Sequence, residues 1–459
     1  MNKQIDIEVE SLSGRRSLIL GLAWPALTES MLSSLVSVVD MIMVGSMGAY
    51  ALGAVGLVTQ PRFLMLAAFM ALNVGSTAMV SRFKGSGSRD NANLVLHQSI
   101  VMALGVSIVL CLIMFFGGDS LIYFIAGNNI SGDMVAGAHI YLRVQVYGFP
   151  MLALTYTINA VLRGVGNTRA AFYNNAVANI VNVFFNYCLI YGNLGFPKWG
   201  LMGAAMSTNI AQCAALAMAL SKVLSGKEFV RLSFNKLFHL DLSMIKRMMK
   251  IGLPALVEQV IMRTGMMLYT IIVTSLGDHS YAAHMIAMNL QQISFMTGMS
   301  FGAAATTLVG QCLGRSRADL AKLYVKMTQN ISYIVAIGVS IVLFFGGEFI
   351  SSLYTRDPGL ARLSGDMLKI IAVVNPLSCA RLVYTSALRG AGDSRYVAVI
   401  TFVGVILIRP LLSVFLVFPP FPFQLGLAGI WIALSSDGVV CFLLAMSRFN
   451  KGKWTSIKV

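Results

Sequence analysis

Asp40 lies in an apolar run of helix length, residues 24–45, that also carries Glu29. A carboxylate near the middle of a bilayer costs about 3 kcal/mol or more, so it normally faces a protein-lined or wet cavity and marks an ion or substrate path. Eleven residues at about 100° each return to nearly the same face of a helix, which puts Glu29, Ser33 and Asp40 on one polar stripe. A second stripe follows from Asn175, Asn179, Asn182 and Asn186, spaced four, three and four apart. Thr208 and Gln212 stand one helical turn apart in a third apolar run. One carboxylate with neutral amide and hydroxyl oxygens suits a small hard cation. The same Asp, desolvated in an apolar bundle, could instead carry a proton. These residues alone leave both open.

The elements that must hold them are membrane helices. Of 459 residues 57% are hydrophobic and 11% charged, against about 25% charged in a soluble domain. Twelve windows of about 20 or more apolar residues predict twelve spans. The expected divisions are a cytoplasmic segment 1–16, six spans in 17–224, a cytoplasmic linker 225–244, six spans in 245–448, and a tail 449–459. Residues 1–16 end in Arg15-Arg16 and precede an apolar run too long for a signal-peptide core, so the first helix is expected to stay as an anchor. The six cysteines (111, 188, 213, 312, 379 and 441) are scattered without CxxC spacing and predict neither metal ligation nor disulfides.

The net charge of +16 raises the question of a nucleic-acid partner, and the location of the charges answers it. Basic residues fill alternate loops: Arg82, Lys84 and Arg89; Arg163 and Arg169; residues 222–250; residues 315–326; Arg389 and Arg395; and the tail. The intervening loops carry Asp119 and Asp133, Asp278, or Glu348 and Asp357. This is the positive-inside pattern, with both termini cytoplasmic and an even number of spans in a cell (plasma or inner) membrane. The basic excess reports topology, and no nucleic acid is implied.

The chain is also a duplication. A shift of 229 lays Pro25-Ala26-Leu27-Thr28-Glu29 on Pro254-Ala255-Leu256-Val257-Glu258, and Phe116-Gly117-Gly118-Asp119 on Phe345-Gly346-Gly347-Glu348. After a three-residue deletion the shift becomes 226, which lays residues 162–169 (LRGVGNTR) on 388–395 (LRGAGDSR). Six helices recur in one orientation, which implies two bundles related by a pseudo-two-fold axis along the membrane normal. Comparing the halves separates scaffold from specialisation. Glu29 has a counterpart in Glu258, but Asp40 meets Tyr269, the four amides meet Thr401, Val405, Ile408 and Leu412, and Thr208 meets Leu434.

At these residues the chain resembles the multidrug and toxic compound extrusion (MATE) transporters, from about residue 17 to 450. The resemblance rests on VVDMIMVG (38–45), GQCLG (310–314), the paired LRG-x-G-[ND]-[ST]-R loops, and FFNYCLIYG followed by GLMGAAMST (200–208). It implies an all-α protein of twelve helices in two six-helix lobes. It implies secondary efflux of organic, often cationic and amphiphilic compounds, driven by sodium or proton antiport. Carried over by position, the family's first-lobe cation site falls on Asp40, Asn182, Asn186 and Thr208, a sodium site if the coupling ion is sodium. Some members have Asp where this chain has Asn186, so a relay of two acids is not expected here. The NorM-like branch uses a Glu in helix seven where this chain has Met262, which puts the usual second-lobe cation site in doubt.

A substrate cavity is expected to draw on Glu29, Asn179, Gln212, Glu258, Met262, Arg263, Met285 and Met288. Flexible thioethers suit varied apolar shapes, although any single Met more often simply packs. Glu29 and Glu258, repeated in both halves, read equally well as structural. Arg263, Arg381, Arg409 and Asp437 lie in or near second-half spans, where an intramembrane Arg is more often paired than substrate-binding. No GxSxG, HExxH or P-loop occurs and the five His do not pair at ligand spacing, so no enzyme and no cofactor beyond the coupling ion are expected. The expected partners are a small organic substrate, the coupling cation and the bilayer, around a monomer. The alternatives are a lipid-linked precursor flippase of the same superfamily and, in a different class, an ion channel.

Overall fold

The computed structural model describes residues 11–126, 132–237, 239–418 and 424–457. Among them are twelve long helices: α1 (Leu12–Gly45), α2 (Ala49–Gly85), α3 (Arg89–Ala126), α4 (Gly132–Gly164), α5 (Thr168–Tyr191), α6 (Leu201–Leu224), α7 (Leu242–Thr274), α8 (Asp278–Gly314), α9 (Ala318–Ser352), α10 (Pro358–Gly390), α11 (Ser394–Val417) and α12 (Gly426–Asn450). The described residues contain no strand. Ten of the twelve are long and apolar enough to cross a membrane. The other two are α4 and α5. At 24 residues α5 reaches about 36 Å, enough for a hydrocarbon core of about 30 Å. Its five asparagines dilute its apolarity, as Asp133, His139, Arg143 and Arg163 dilute that of α4.

Helix α1 begins at Leu12, so Arg15 and Arg16 are helical rather than part of a preceding tail. The linker region contains one helical turn, Phe234–Leu237, and is tied to the α2–α3 end of its bundle. Arg89 donates to the carbonyls of Phe229 (2.9 Å) and Glu228 (3.0 Å), the His97 ring accepts from the Ser233 N–H (3.0 Å), and Lys84 lies 4.1 Å from the Phe229 ring centroid. Basic residues of the α2–α3 connection thus also fasten the linker that joins the halves.

The chain divides into two compact units, residues 28–249 and, with the start of α1 up to Leu27, residues from Lys250 onward. In the first, α4 packs on α2, α3, α5 and α6; in the second its repeat equivalent α10 packs on α8, α9, α11 and α12. The core of the first gathers Phe69, Leu142, Phe149, Leu152 and Ala204. That of the second has one cluster around Leu308, Tyr324, Tyr384 and Phe449, which Ile19 and Leu22 of α1 join, and another around Leu290, Leu368 and Trp431.

The duplication persists down to single hydrogen bonds. Thr77 Oγ1 donates to the Ala160 carbonyl at 3.1 Å, and its equivalent Thr306 donates to the Ser386 carbonyl at 2.8 Å. Both contacts need a glycine one turn on. A Cβ on Gly164 would stand 3.1 Å from the Thr77 carbonyl oxygen, and one on Gly390 only 2.5 Å from that of Thr306. The turns that follow reverse direction through Gly166 (φ 92°) and Gly392 (φ 90°), backbone that L side chains rarely adopt.

Candidate functional site

The polar stripe of α1 meets the amide stripe of α5 as a ladder of constant register. Asn175 Nδ2 donates to Glu29 Oε1, Asn179 Nδ2 to Ser33 Oγ at 3.4 Å, and Asn186 Nδ2 to Asp40 Oδ1 at 2.7 Å. Each rung joins residues 146 apart in sequence. An unchanging offset means that the two helices run parallel, and the four-then-seven spacing of Glu29, Ser33 and Asp40 is that of Asn175, Asn179 and Asn186.

The last rung opens into the predicted cation site. Asn186 Nδ2 also lies 3.3 Å from Asn182 Oδ1, and Asn182 Nδ2 lies 3.4 Å from Thr208 Oγ1 on α6. All four residues named from the sequence therefore come together, on α1, α5 and α6. Asn182 and Asn186 are buried and Asp40 is partly so. Turning the Asn182 amide over places its nitrogen 2.8 and 3.0 Å from the two Asp40 oxygens. The amide can thus answer the carboxylate with its N–H when nothing lies between them, or offer its oxygen beside the carboxylate to a bound cation. Thr208 Oγ1 donates to the Ala204 carbonyl at 3.1 Å, so the oxygen faces the site as an acceptor.

Thr208 also lines a small cleft with Gln212, Asn209, Gln145, Phe149 and Arg62. Gln212 is where the sequence places it. Arg62 is not: it falls in an apolar stretch of α2. The signal for it was present, since an Arg one residue after Pro61 in mid-span has the same standing as the second-half arginines.

Glu29 and Glu258 each meet an arginine. Arg163 Nη1 donates to Glu29 Oε1 at 3.1 Å. Arg389 donates to both Glu258 oxygens, Nε to Oε2 at 3.2 Å, and Thr401 Oγ1 lies 3.2 Å from Oε1. Glu, Arg and the third partner (Asn175 or Thr401) occupy equivalent repeat positions in the two units, so this is one triad built twice. Arg163 and Arg389, read from the sequence as loop charges, reach back into the bundle. The other expected cavity residues do not form a cluster with them in the same way. Met262 and Met288 are half-buried, with Met288 packed on the second unit's core, while Arg263 and Met285 lie on that unit's exposed surface. Of the second-unit charges, Arg409 pairs with Asp437.

The model of the MatE family matches residues 25–188 and again 254–415, once in each half. The chain is 28% identical over 440 residues to a protein of Thermotoga maritima described as probable multidrug resistance protein NorM, covering 96% of this chain and 93% of that one. It is 26% identical over 384 residues to multidrug resistance protein MdtK of Pectobacterium atrosepticum, with 83% of each chain covered. Two similar solved structures, a MATE in the bent conformation (TM-score 0.87, covering 96% of each chain) and an outward-facing MATE family multidrug resistance transporter (TM-score 0.86, covering 96% of this chain and 97% of that one), are each 20% identical and share the fold.

Proposed function

Because the chain belongs to the MatE family of transporters, we propose that it exports organic, amphiphilic and often cationic compounds by alternating access, in exchange for a monovalent cation held at Asp40, Asn182, Asn186 and Thr208. The observation that carries this reading is the convergence of one carboxylate with two side-chain amides of α5 and a hydroxyl of α6, linked by hydrogen bonds of 2.7–3.4 Å. Neutral oxygens around a single negative charge match a +1 guest, whereas a divalent ion would ask for more carboxylates. Releasing the ion returns Asn182 to hydrogen bonding with Asp40, which gives the empty and filled states different packing of α5 against α1. A ligand shifts a conformational equilibrium only through such a difference.

The test is efflux of a fluorescent organic cation from proteoliposomes under separately imposed sodium and proton gradients, for the wild type and Asp40→Asn. Sodium-driven flux lost in the variant supports a sodium site. Proton-only flux makes Asp40 the proton carrier. Unchanged gradient-driven flux in a well-folded Asp40→Asn protein sinks the assignment.

A further inference from the structure

The second unit holds a buried ion pair beside a run of aromatic rings whose polar atoms have no partner among the described residues. Arg409 Nε on α11 donates to Asp437 Oδ2 on α12, and the guanidinium carbon lies 5.5 Å from the ring centroid of Tyr269 on α7. Tyr269 meets His284 of α8 edge to face at 5.3 Å, and His284 meets Trp431 of α12 at 5.7 Å. All five residues are at least nine-tenths buried. Yet the Tyr269 hydroxyl, His284 Nδ1 and Trp431 Nε1 have no hydrogen-bond partner among the described residues, nor do the buried hydroxyls of Ser413 and Ser435. Ser413 stands one turn past Arg409 on the same helix face, whereas Trp431 and Ser435 share a face of α12 that Asp437, two residues past Ser435, does not. Buried polar groups are nearly always answered by something. The Tyr269 hydroxyl, on the ring beside the Arg409 guanidinium, and the Ser413 hydroxyl, one turn on from Arg409, are left over next to one cationic group, and together they indicate a guest.

The chemistry of the set says what kind. The phenol and the Ser413 hydroxyl can each donate, and a guanidinium keeps four N–H bonds after one is given to Asp437. Against these, Asp437 is already engaged and the imidazole offers at most one acceptor nitrogen. The surplus is of donors, and the pair itself sums to zero charge. Tyr269 occupies the repeat position of Asp40, so the second half presents a donor where the first presents a carboxylate.

The backbone explains how Arg409 reaches this place. Residues Phe402–Ile408 form a π-helical segment, and the Arg409 N–H bonds to the Gly404 carbonyl five residues back. Pro410, lacking an N–H, follows the widened turn. The segment is held on both sides by close approach: a Cβ on Gly404 would collide with Cys441 Sγ at 2.2 Å, and one on Gly265 with the Val405 side chain at 2.0 Å. Single π turns inside α-helices recur at functional sites.

We propose that Arg409, Tyr269 and Ser413 bind one monovalent anionic group, a free halide or a carboxylate carried by a substrate, with Arg409 shared between that group and Asp437. A dianion would set two charges against a guanidinium already committed to Asp437, so the site selects single charge. The site lies within the second unit and does not depend on which cation occupies the Asp40 site.

The experiment is the thermal unfolding midpoint of the purified full-length protein, titrated with sodium chloride and separately with sodium acetate at constant ionic strength, in a background of sodium methanesulfonate. A saturable rise with chloride supports a free halide, and one with acetate supports a carboxylate. Tyr269→Phe, which removes one hydroxyl and keeps the ring, should raise the half-saturating concentration about tenfold. Arg409→Gln should abolish the response; if that variant does not fold, Tyr269→Phe decides alone. No saturable response to either anion, or an unchanged one in Tyr269→Phe, overturns the proposal.

Discussion

Arg389 grips Glu258 from the end of α10 in the way that Arg163 grips Glu29 from the end of α4, and the two pairs are equivalent in the repeat. They differ in depth. The side chains of Glu258 and Arg389 are 6% and 18% exposed, those of Glu29 and Arg163 14% and 25%. Stranding one member of a buried pair costs about 3–5 kcal/mol, largely from the uncompensated charge left behind. Arg389→Ala should therefore lower the thermal unfolding midpoint more than Arg163→Ala. Glu258→Gln, which keeps shape and a hydrogen-bonding oxygen, should cost less than Arg389→Ala. Equal losses in the two arginine variants would contradict the difference in burial.

The rungs between α1 and α5 should not be equal in function. Asn186→Ala removes a donor to the Asp40 carboxylate, a charge-assisted bond of about 1.5–3 kcal/mol. It should raise the half-activating concentration of the driving cation about tenfold or more. Asn179→Ala removes only a 3.4 Å contact between neutral groups and should leave that concentration within about twofold. Flux assays over a range of cation concentrations separate the two.

Gly390 and Gly164 test how tightly each bundle is closed. Gly390→Ala would push a methyl to 2.5 Å from a backbone oxygen of Thr306, and overpacking of this kind costs about 1–3 kcal/mol. Gly164→Ala meets its neighbour at 3.1 Å and should be milder. The ranking of unfolding midpoints, with Gly390→Ala the lower, is the check.

Asp241 caps α7 from outside the membrane. The Met244 N–H (3.0 Å) and then the Ser243 hydroxyl (2.7 Å) hold its carboxyl below the usual carboxylate range. A carboxyl whose folded value is depressed stabilises fully above its unfolded value of about 4 and loses that contribution as pH falls toward the folded one. Hydrogen-exchange protection in the first turn of α7 should therefore be lower in Asp241→Ala than in the wild type at pH 7. The two should converge in acid, once the pH has fallen below the folded value. A difference that persists there would assign the protection to something other than the carboxylate.

Much of this was legible in the sequence, and the reasons are physical. Asp40, Asn182, Asn186 and Thr208 stood out because the second half carries apolar or aromatic residues at the same positions, and intramembrane polarity is costly enough to be informative. The matching spacings of 29, 33, 40 and 175, 179, 186 already contained the register of the α1–α5 ladder. The Glu–Arg triads were hidden because an arginine at a helix end satisfies the positive-inside pattern equally well whether its long side chain points to water or back into the bundle. Arg62 was hidden by length, one charge far from the basic last turn of a helix of 37 residues. The widened turn in α11 was invisible for a different reason. Hydrophobic periodicity averages over several turns, and one surplus residue in FVGVILI leaves the average unchanged.

That surplus residue works as a register offset. In a continuous α-helix each residue advances the side chain by about 100°, so taking one residue out of the π segment would swing everything after it by roughly that angle while the helix kept its axis. Arg409 would leave Asp437 and Tyr269, and Ser413 would turn with it. The apolar residues of Arg409–Val417 would exchange their inner face for an outer one. The identity of the buried cluster is thus encoded less in any one of its side chains than in a count: seven residues, Phe402–Ile408, where the regular winding would have used fewer.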